Sequence, residues 1–120
     1  MVAGIKIGIL VCYDHDFPDY PCMLFRSHCD SIFDPLLMRK DFHSEWHTYI
    51  ELRVLENRMP VISVNSISDD FLGTSIIAYS VGEEDGVGIK TITSSDRDIV
   101  FNMDTSDYSI HNNQRLKERI

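Results

Sequence analysis

Residues 7–14 read IGILVCYD and run directly into HDFPD at residues 15–19. The first segment is apolar and rich in Ile, Leu and Val, which is typical of a strand buried on both faces, and we predict a strand over residues 5–13. The second segment is polar and contains Pro18, which predicts a turn. Cys12 therefore stands where a buried strand ends, a place at which a fold presents a thiol instead of hiding it.

The size and charge of the chain limit its possible partners. It has 120 residues, 43% of them hydrophobic and 25% charged, which predicts a single domain over residues 1–120. A formal net charge of −8 would repel a phosphate backbone, so we do not expect a nucleic-acid partner. No apolar run approaches the roughly 18 residues of a membrane span, and no basic segment precedes the first apolar run. We expect a cytoplasmic protein without a membrane partner.

The cysteines give no sign of a disulfide framework or a zinc site. There are three, Cys12, Cys22 and Cys29, and none forms a Cys-x-x-Cys pair. Reduced thiols in a reducing compartment fit this pattern best. No phosphate-binding glycine motif is present either, and we expect neither a cofactor nor a metal ion.

Hydrophobic periodicity and turn signals divide the chain into alternating helices and strands. We predict helices over residues 20–28, 41–58 and 112–120, and strands over residues 5–13, 31–33, 61–64, 74–80, 87–93 and 98–103. Asp41 is the expected N-cap of the second helix. Asp34 and Pro35 are expected to close the second strand, because the residue before a proline avoids helical angles. Residues 36–40 are expected to form a loop, and residues 84–86 a turn.

This order of elements describes an α/β fold with one mixed sheet and helices on one of its faces. The opposite face of the sheet would then be apolar and uncovered. An exposed apolar surface of that size is expected to recruit a partner. Two partners are conceivable, a second copy of this chain or a separate chain that supplies a further layer, and we expect self-association in purified material.

Four segments in order along the chain resemble one known family. They are residues 7–19, then RVLEN at residues 53–57, PVISVN at residues 60–65, and GTSII at residues 73–77 followed by Gly82. These match the nucleophile segment, a helix end, a strand ending in Asn and a following strand start in the carbon–nitrogen hydrolases, which include nitrilases, aliphatic amidases and carbamoylases. The resemblance covers most of the chain and implies an α-β-β-α sandwich, of which this chain is similar to one α-β layer, the C-terminal half.

The resemblance also implies a reaction. Cys12 would be the nucleophile that attacks a linear amide, carbamoyl compound or nitrile and forms a thioester, and the backbone N–H of Tyr13 would contribute to the oxyanion hole. The family's general base, a Glu, and its essential Lys both lie well before the Cys, but only eleven residues precede Cys12 here. Lys6 cannot substitute, because six residues of strand separate it from Cys12 by roughly 20 Å. We therefore expect either a half-enzyme whose Glu and Lys come from elsewhere, or a non-catalytic remnant that serves in oligomerisation or binding.

Histidines offer two further possibilities. His15 lies three residues after Cys12 and could form a Cys–His dyad with it, although an exposed turn histidine is the simpler expectation. His43 and His47 lie four apart, with Glu45 between them, which places two imidazoles on one helix face. The pattern is not the His-Glu-x-x-His of zinc hydrolases, and a solvated helix face is the better interpretation.

The remaining candidates have structural interpretations. Asp14 and Asp16 could act as paired carboxylates, but Asp14 is expected to close the turn through its own side chain, and Asp16 stands where the family commonly has a basic or aromatic residue. Arg53 is expected to tie a helix end to neighbouring loops. Several aromatic residues fit a core stripe better than a ligand cage, namely Phe33, Phe42, Trp46 and Tyr49.

Overall fold

The computed structural model describes residues 4–71, 73–83 and 86–94. Five strands form one sheet in the order of the chain, and the first three are parallel while the last two join antiparallel. The strands are β1 Ile7–Ile9, β2 Ser31–Leu36, β3 Val61–Asn65, β4 Ser75–Glu83 and β5 Gly86–Ser94, the α-helices are α1 Asp19–Arg26 and α2 His43–Asn57, and short 3-10 helices cover Cys12–Asp16 and Lys40–Phe42. The prediction of an α/β fold with one mixed sheet is confirmed.

Both helices of the described region contribute to a core on one side of the sheet. In β2 and β3 the alternation of strand side chains buries every second residue, as expected for a sheet with one covered face. The α2 side chains Trp46, Ile50 and Val54 are almost fully buried against this face. Burial of these large apolar side chains, each contributing about 1.5–3 kcal/mol, fixes α2 against the sheet.

Helix α1 lies close to β1 because of Gly8. A Cβ atom at this position would lie 2.8 Å from Cδ1 of Leu24 on α1, closer than such atoms approach in real structures. The absence of a side chain at residue 8 therefore lets Leu24 occupy the space above β1.

The other face of the sheet is apolar and open, as the sequence predicted for a single layer. Ile9 is 66% exposed, Phe33 42% and Val64 53%. Phe33 pairs with both Ile9 and Ile62, so these side chains come from adjacent strands on one face. We call the surface formed by Ile9, Phe33, Ile62 and Val64 the open face.

Strand β1 is shorter than predicted, ending at Ile9 rather than at residue 13. The side chain of Asp14 accepts a hydrogen bond from the Val11 backbone N–H at 3.0 Å. The Val11 N–H is therefore not available to pair with a neighbouring strand, and the chain forms the 3-10 helix Cys12–Asp16. The expectation that Asp14 closes the turn through its own side chain is confirmed.

Strand β2 is longer than predicted, because Asp34 and Pro35 lie inside it. Ile32 donates its backbone N–H to Pro60 on the β3 side, so the alternation of the strand turns the Pro35 nitrogen toward the β1 side. There β1 has already ended, opposite Phe33. Proline is tolerated because its missing donor faces no partner strand.

The boundaries of the helices also differ from prediction. Asp41 is not the N-cap of α2, because residues 40–42 first wind into a 3-10 helix and Phe42 takes the capping position. The helix ends at Asn57, and Arg58 adopts a left-handed conformation with φ 59°. Helix α1 covers Asp19–Arg26 in place of residues 20–28. The predicted strand 98–103, the predicted helix 112–120 and residues 84–85 of the predicted turn lie outside the described residues.

Asn65 joins three segments at the end of β3. Its side-chain oxygen accepts the Met38 N–H at 2.7 Å, and its amide group donates to the carbonyls of Met38 and Gly73 at 2.9 and 3.0 Å. All of these groups are satisfied without solvent, which holds the loop after β2 beside the loop before β4.

We predict that the stability of the fold depends on pH through His47. Its Nε2 lies 2.7 Å from the Thr74 carbonyl oxygen. Burial lowers its pKa below the ordinary value, assisted by nearby His43 and opposed by the Thr74 hydrogen bond and by Glu51. Since the unfolded chain then binds a proton more readily, stability should fall as pH decreases below about 6.5. We expect His47→Gln to reduce this fall in urea unfolding measured at pH 7 and pH 5.

The matched control is His43→Gln, which removes a neighbouring imidazole on the same helix. It should leave most of the pH dependence in place. An unchanged pH dependence in His47→Gln would show that His47 is not the titrating group.

Candidate active site

Cys12 opens the 3-10 helix Cys12–Asp16, which we call the Cys12 turn. Its φ is 55°, in the left-handed region that residues other than glycine, Asn and Asp rarely adopt. The side chain is half-buried and packs against the edge of the core, just beyond the end of β1. A non-glycine residue held in this conformation is a recurrent feature of functional turns, where the surrounding structure keeps a side chain in a fixed direction.

The backbone N–H of Tyr13 lies at the start of the same turn. The first hydrogen bond of the 3-10 helix runs from the Asp14 N–H to the Val11 carbonyl at 3.2 Å. The Tyr13 N–H precedes that bond, at a position where helical geometry supplies no acceptor. The Tyr13 N–H is therefore a backbone donor one residue after Cys12.

Arg53 of α2 holds the Cys12 turn in place. Its Nε donates to the His15 carbonyl at 2.7 Å, and its Nη2 donates to the Asp16 carbonyl at 3.0 Å. Its Nη1 binds both carboxylate oxygens of Glu56, at 2.9 and 3.0 Å. The guanidinium is 4% exposed, so these bonds form away from water. The prediction that Arg53 ties a helix end to neighbouring loops is confirmed.

His15 is buried, and the prediction of an exposed histidine is wrong. It is 1% exposed, with Nδ1 2.8 Å from Oδ2 of Asp34 and Nε2 3.2 Å from Oδ1 of Asp16. Because both nitrogens face carboxylates, neither is directed at Cys12. The geometry gives no support to a Cys12–His15 dyad.

A buried polar chain continues from His15 into the core. Oδ2 of Asp34, which is fully buried, accepts a hydrogen bond from Ser63 Oγ at 3.0 Å. Ser63 in turn accepts from Nε1 of Trp46 at 2.9 Å. This chain joins the Cys12 turn to β2, β3 and α2. Shared polar contacts of this kind fix the relative arrangement of the elements that carry them.

A cleft of about 210 Å³ adjoins the Cys12 turn. It lies between that turn, the loop after β2 and the first two turns of α2. Its walls are formed by Tyr13, Asp16, Met38, Phe42, Glu45, Trp46 and Tyr49. The prediction that Phe33 and Phe42 belong to the core stripe is wrong, because they are 42% and 52% exposed, whereas Trp46 is buried as predicted.

The other sequence candidates lie elsewhere. Lys6 donates from Nζ to the Ser27 carbonyl at 2.5 Å, which directs it toward the loop after α1. The rings of His43 and His47 are in contact, with centroids 5.8 Å apart, but each histidine has a nitrogen near a backbone carbonyl, that of Lys40 or of Thr74. Over residues 4–71, 73–83 and 86–94 the structure contains no group of three or more His, Cys, Asp or Glu side chains that could hold a metal ion. No helix of that part is long and apolar enough to cross a membrane.

Comparison with known proteins places the chain in one family. A sequence model of the carbon–nitrogen hydrolases matches residues 1–84, and the chain belongs to that family. Among solved structures, a carbon–nitrogen hydrolase from Helicobacter pylori G27 is similar, with a TM-score of 0.71 and 16% identity over 97% of this chain. No curated protein matches the sequence.

Two further solved structures have the same fold. One is NitN amidase from Nesterenkonia sp. AN1, with a TM-score of 0.63 and 19% identity over 95% of this chain. The other is Nit3 from Saccharomyces cerevisiae, a member of branch 10 of the nitrilase superfamily, with a TM-score of 0.56 and 20% identity over 75% of this chain. The chain spans 44%, 47% and 37% of the Helicobacter, Nesterenkonia and yeast proteins, respectively. It therefore corresponds to less than half of each relative, and at these identities the likeness concerns the fold.

The pairing of His15 with Asp34 can be measured by a double-mutant cycle. Substituting His15→Leu or Asp34→Val alone leaves a buried charged or polar partner without its counterpart, and we expect each to lower the free energy of unfolding by about 3 kcal/mol. The loss in the double variant should be about 1–3 kcal/mol smaller than the sum of the two single-variant losses in the free energy of unfolding. Urea unfolding followed by circular dichroism measures all four proteins.

The control cycle combines Asp34→Val with His43→Leu, a histidine that does not contact Asp34. That pair should be additive within about 0.5 kcal/mol. Additive behaviour of His15→Leu and Asp34→Val would refute the pairing.

Proposed function

We propose that this chain supplies the nucleophile layer of a carbon–nitrogen hydrolase that acts on a linear amide, carbamoyl compound or nitrile. Cys12 is the nucleophile, and the Tyr13 backbone N–H is one donor of the oxyanion hole. The observation that carries the proposal is the left-handed Cys12 at the start of its turn, followed at once by the N–H of Tyr13. Membership of the family supports the same roles.

With an amide, the reaction proceeds in two balanced steps. The Cys12 thiolate attacks the carbonyl carbon, a C–S bond forms, and the oxyanion is held by the Tyr13 N–H until the C–N bond breaks and the amine leaves with a proton. Water then attacks the thioester, and the acid is released as the thiol is restored. Both steps need a base to remove a proton, first from the thiol and then from water.

We propose that the base and the second oxyanion donor come from residues outside the Cys12 turn. The carboxylates of Asp14 and Asp16 are engaged by the Val11 N–H and by His15, and Lys6 is directed elsewhere. We propose that a Glu and a Lys are supplied by a further polypeptide layer, which packs on the open face and completes an α-β-β-α sandwich. The coverage of the relatives, below one half of each, supports this division.

The alternative is a non-catalytic remnant that serves as an oligomerisation or binding module. One observation favours it. Asp16 carries a negative charge where the family commonly has a basic or aromatic residue, and its carboxylate is paired with the buried His15. Such a departure beside the nucleophile is consistent with relaxed catalytic constraint.

Reading the genomic sequence immediately upstream of the Met1 codon in all three frames tests the proposal. If that sequence encodes a Glu and a Lys in the family pattern, we join the upstream segment to this chain and call the product the joined polypeptide. It should form a thioester on Cys12 when an amide is added. Mass spectrometry would detect the adduct, and Cys12→Ala is the control that must lack it. A joined polypeptide that never acylates Cys12, or an upstream sequence without these residues, would favour the remnant.

Thiol alkylation gives a second prediction for the chain alone. We expect Cys12 to react with iodoacetamide about tenfold faster than Cys29, because Cys29 is 7% exposed and burial raises the pKa of its thiol. Peptide mapping after timed alkylation measures both sites. The joined polypeptide should accelerate Cys12 further and leave Cys29 unchanged, whereas equal Cys12 rates in both proteins would contradict its activation as a nucleophile.

The open face predicts self-association of the purified chain. We expect sedimentation to detect a dimer that Val64→Lys weakens by tenfold or more, because a charge in an apolar interface loses its hydration. Leu55→Lys is the matched control, since Leu55 is 40% exposed on α2, away from this face. A monomer at all concentrations, or equal effects of the two lysines, would contradict association through the open face.

A further inference from the structure

Two histidines at the start of α2 take no part in the Cys12 site. His43 and His47 lie four residues apart, so they share one face of the helix and are separated by one turn. Their ring centres are 5.8 Å apart, and both side chains are half-buried. The fold thus holds two imidazoles in contact at a position that solvent still reaches.

Backbone carbonyls orient both rings. Nδ1 of His43 lies 3.1 Å from the Lys40 carbonyl oxygen, and Nε2 of His47 lies 2.7 Å from the Thr74 carbonyl oxygen. A carbonyl oxygen only accepts hydrogen bonds, so these two nitrogens carry the protons. In the neutral rings the lone pairs are then on Nε2 of His43 and Nδ1 of His47. Histidine ligands of metal ions are oriented in the same way, through a hydrogen bond that the other ring nitrogen donates.

The separation of the rings is compatible with one shared ion. An imidazole nitrogen binds zinc at about 2.0–2.1 Å, which places the ring centre about 3.2 Å from the metal. Two rings on one ion can therefore lie at most about 6.4 Å apart. The observed 5.8 Å between His43 and His47 is within this limit.

His47 is in the protonation state that metal binding requires. Burial lowers its pKa below the ordinary value, assisted by His43 and opposed by the Thr74 hydrogen bond and by Glu51. The imidazole is therefore neutral at pH 7, and the neutral form is the one that binds metals.

The charges around the pair do not by themselves select a cation. The N-terminus of α2 is positive. The neighbouring charged side chains have both signs, namely Arg39, Lys40, Asp41, Glu45 and Glu51. Affinity must then come from nitrogen–metal bonds, which favours ions that prefer imidazole over ions that prefer oxygen ligands.

We infer that His43 and His47 form a two-histidine site for a divalent transition-metal ion of the Zn²⁺, Ni²⁺ and Cu²⁺ class. Water supplies the remaining ligands, since the part of the chain that the structure describes has no group of three His, Cys, Asp or Glu side chains around one ion. Through the Thr74 carbonyl, the site connects the start of α2 to the segment before β4. The inference is independent of the proposed function at Cys12.

Trp46 provides the measurement, because it is the single tryptophan of the chain and its ring centre lies 4.5 Å from that of His47. Ni²⁺ is titrated into the chain after exposed thiols are blocked with iodoacetamide, since thiolates also bind such ions. We expect saturable quenching of Trp46 fluorescence that EDTA reverses and Zn²⁺ competes away. Mg²⁺ prefers oxygen ligands and should have no effect.

Variants locate the binding. His43→Gln and His47→Gln should each weaken Ni²⁺ binding at least tenfold, because a single imidazole remains. His28→Gln is the matched control, since it removes an exposed histidine from the loop after α1 and should leave binding unchanged. An ion that binds the folded chain also stabilises it, so Zn²⁺ should raise the urea midpoint of the wild type and not of His43→Gln.

Three results would each overturn the site. They are no saturable quenching by Ni²⁺ in the wild type, equal affinities of the wild type and His47→Gln, and an equal loss of affinity in His28→Gln and His43→Gln. The last result would assign the binding to scattered surface histidines. Acylation of Cys12 is measured separately in the joined polypeptide, and its outcome does not bear on the metal site.

Discussion

The arrangement of the site depends on one buried guanidinium. Arg53 donates to two consecutive carbonyls of the Cys12 turn, which lies 37 and 38 residues earlier in the sequence, while Glu56 balances its charge. Its guanidinium carbon also lies 5.7 Å from the ring centre of Tyr49. A left-handed residue such as Cys12 persists when its surroundings over-determine it, and Arg53 supplies that constraint from the best-packed helix of the fold. Helix α2 thus holds the turn that carries the thiol, together with β1, which leads into that turn.

Much of this fold follows from periodicity. The 3.6-residue pattern predicts α2, and the short β-branched runs predict β3, β4 and β5, because one covered sheet face and one apolar helix stripe leave few other arrangements. The ends of elements were less predictable. Asp14 ends β1 by capturing a single N–H, and Pro35 sits in β2 because β1 stops early. Both outcomes depend on contacts between segments, which no local pattern contains.

The site was predictable at Cys12 and Tyr13 as candidates, but not in the residues beneath them. His15 and Asp34 each look like surface residues when taken alone. They are buried together, with His15 Nδ1 2.8 Å from Asp34 Oδ2, and a contact between residues 19 apart in the sequence gives no periodic signal. A sequence signal for Asp34 did exist, since a strand continued to Leu36 would place it on the same face as Ile32. The assumption that Pro35 ends the strand concealed it.

The backbone at residue 12 also has an evolutionary consequence. Left-handed angles suit glycine, so Cys12→Gly would relieve local strain while removing the thiol, a gain in stability of up to about 1 kcal/mol. A lineage under selection for folding alone would have an easy route to lose the cysteine and a reason to take it. A protein that retains Cys12 therefore keeps a slightly less stable turn than the fold could have. Stability and chemistry oppose each other at this position, since Cys12→Gly favours the first and the thiol is needed for the second.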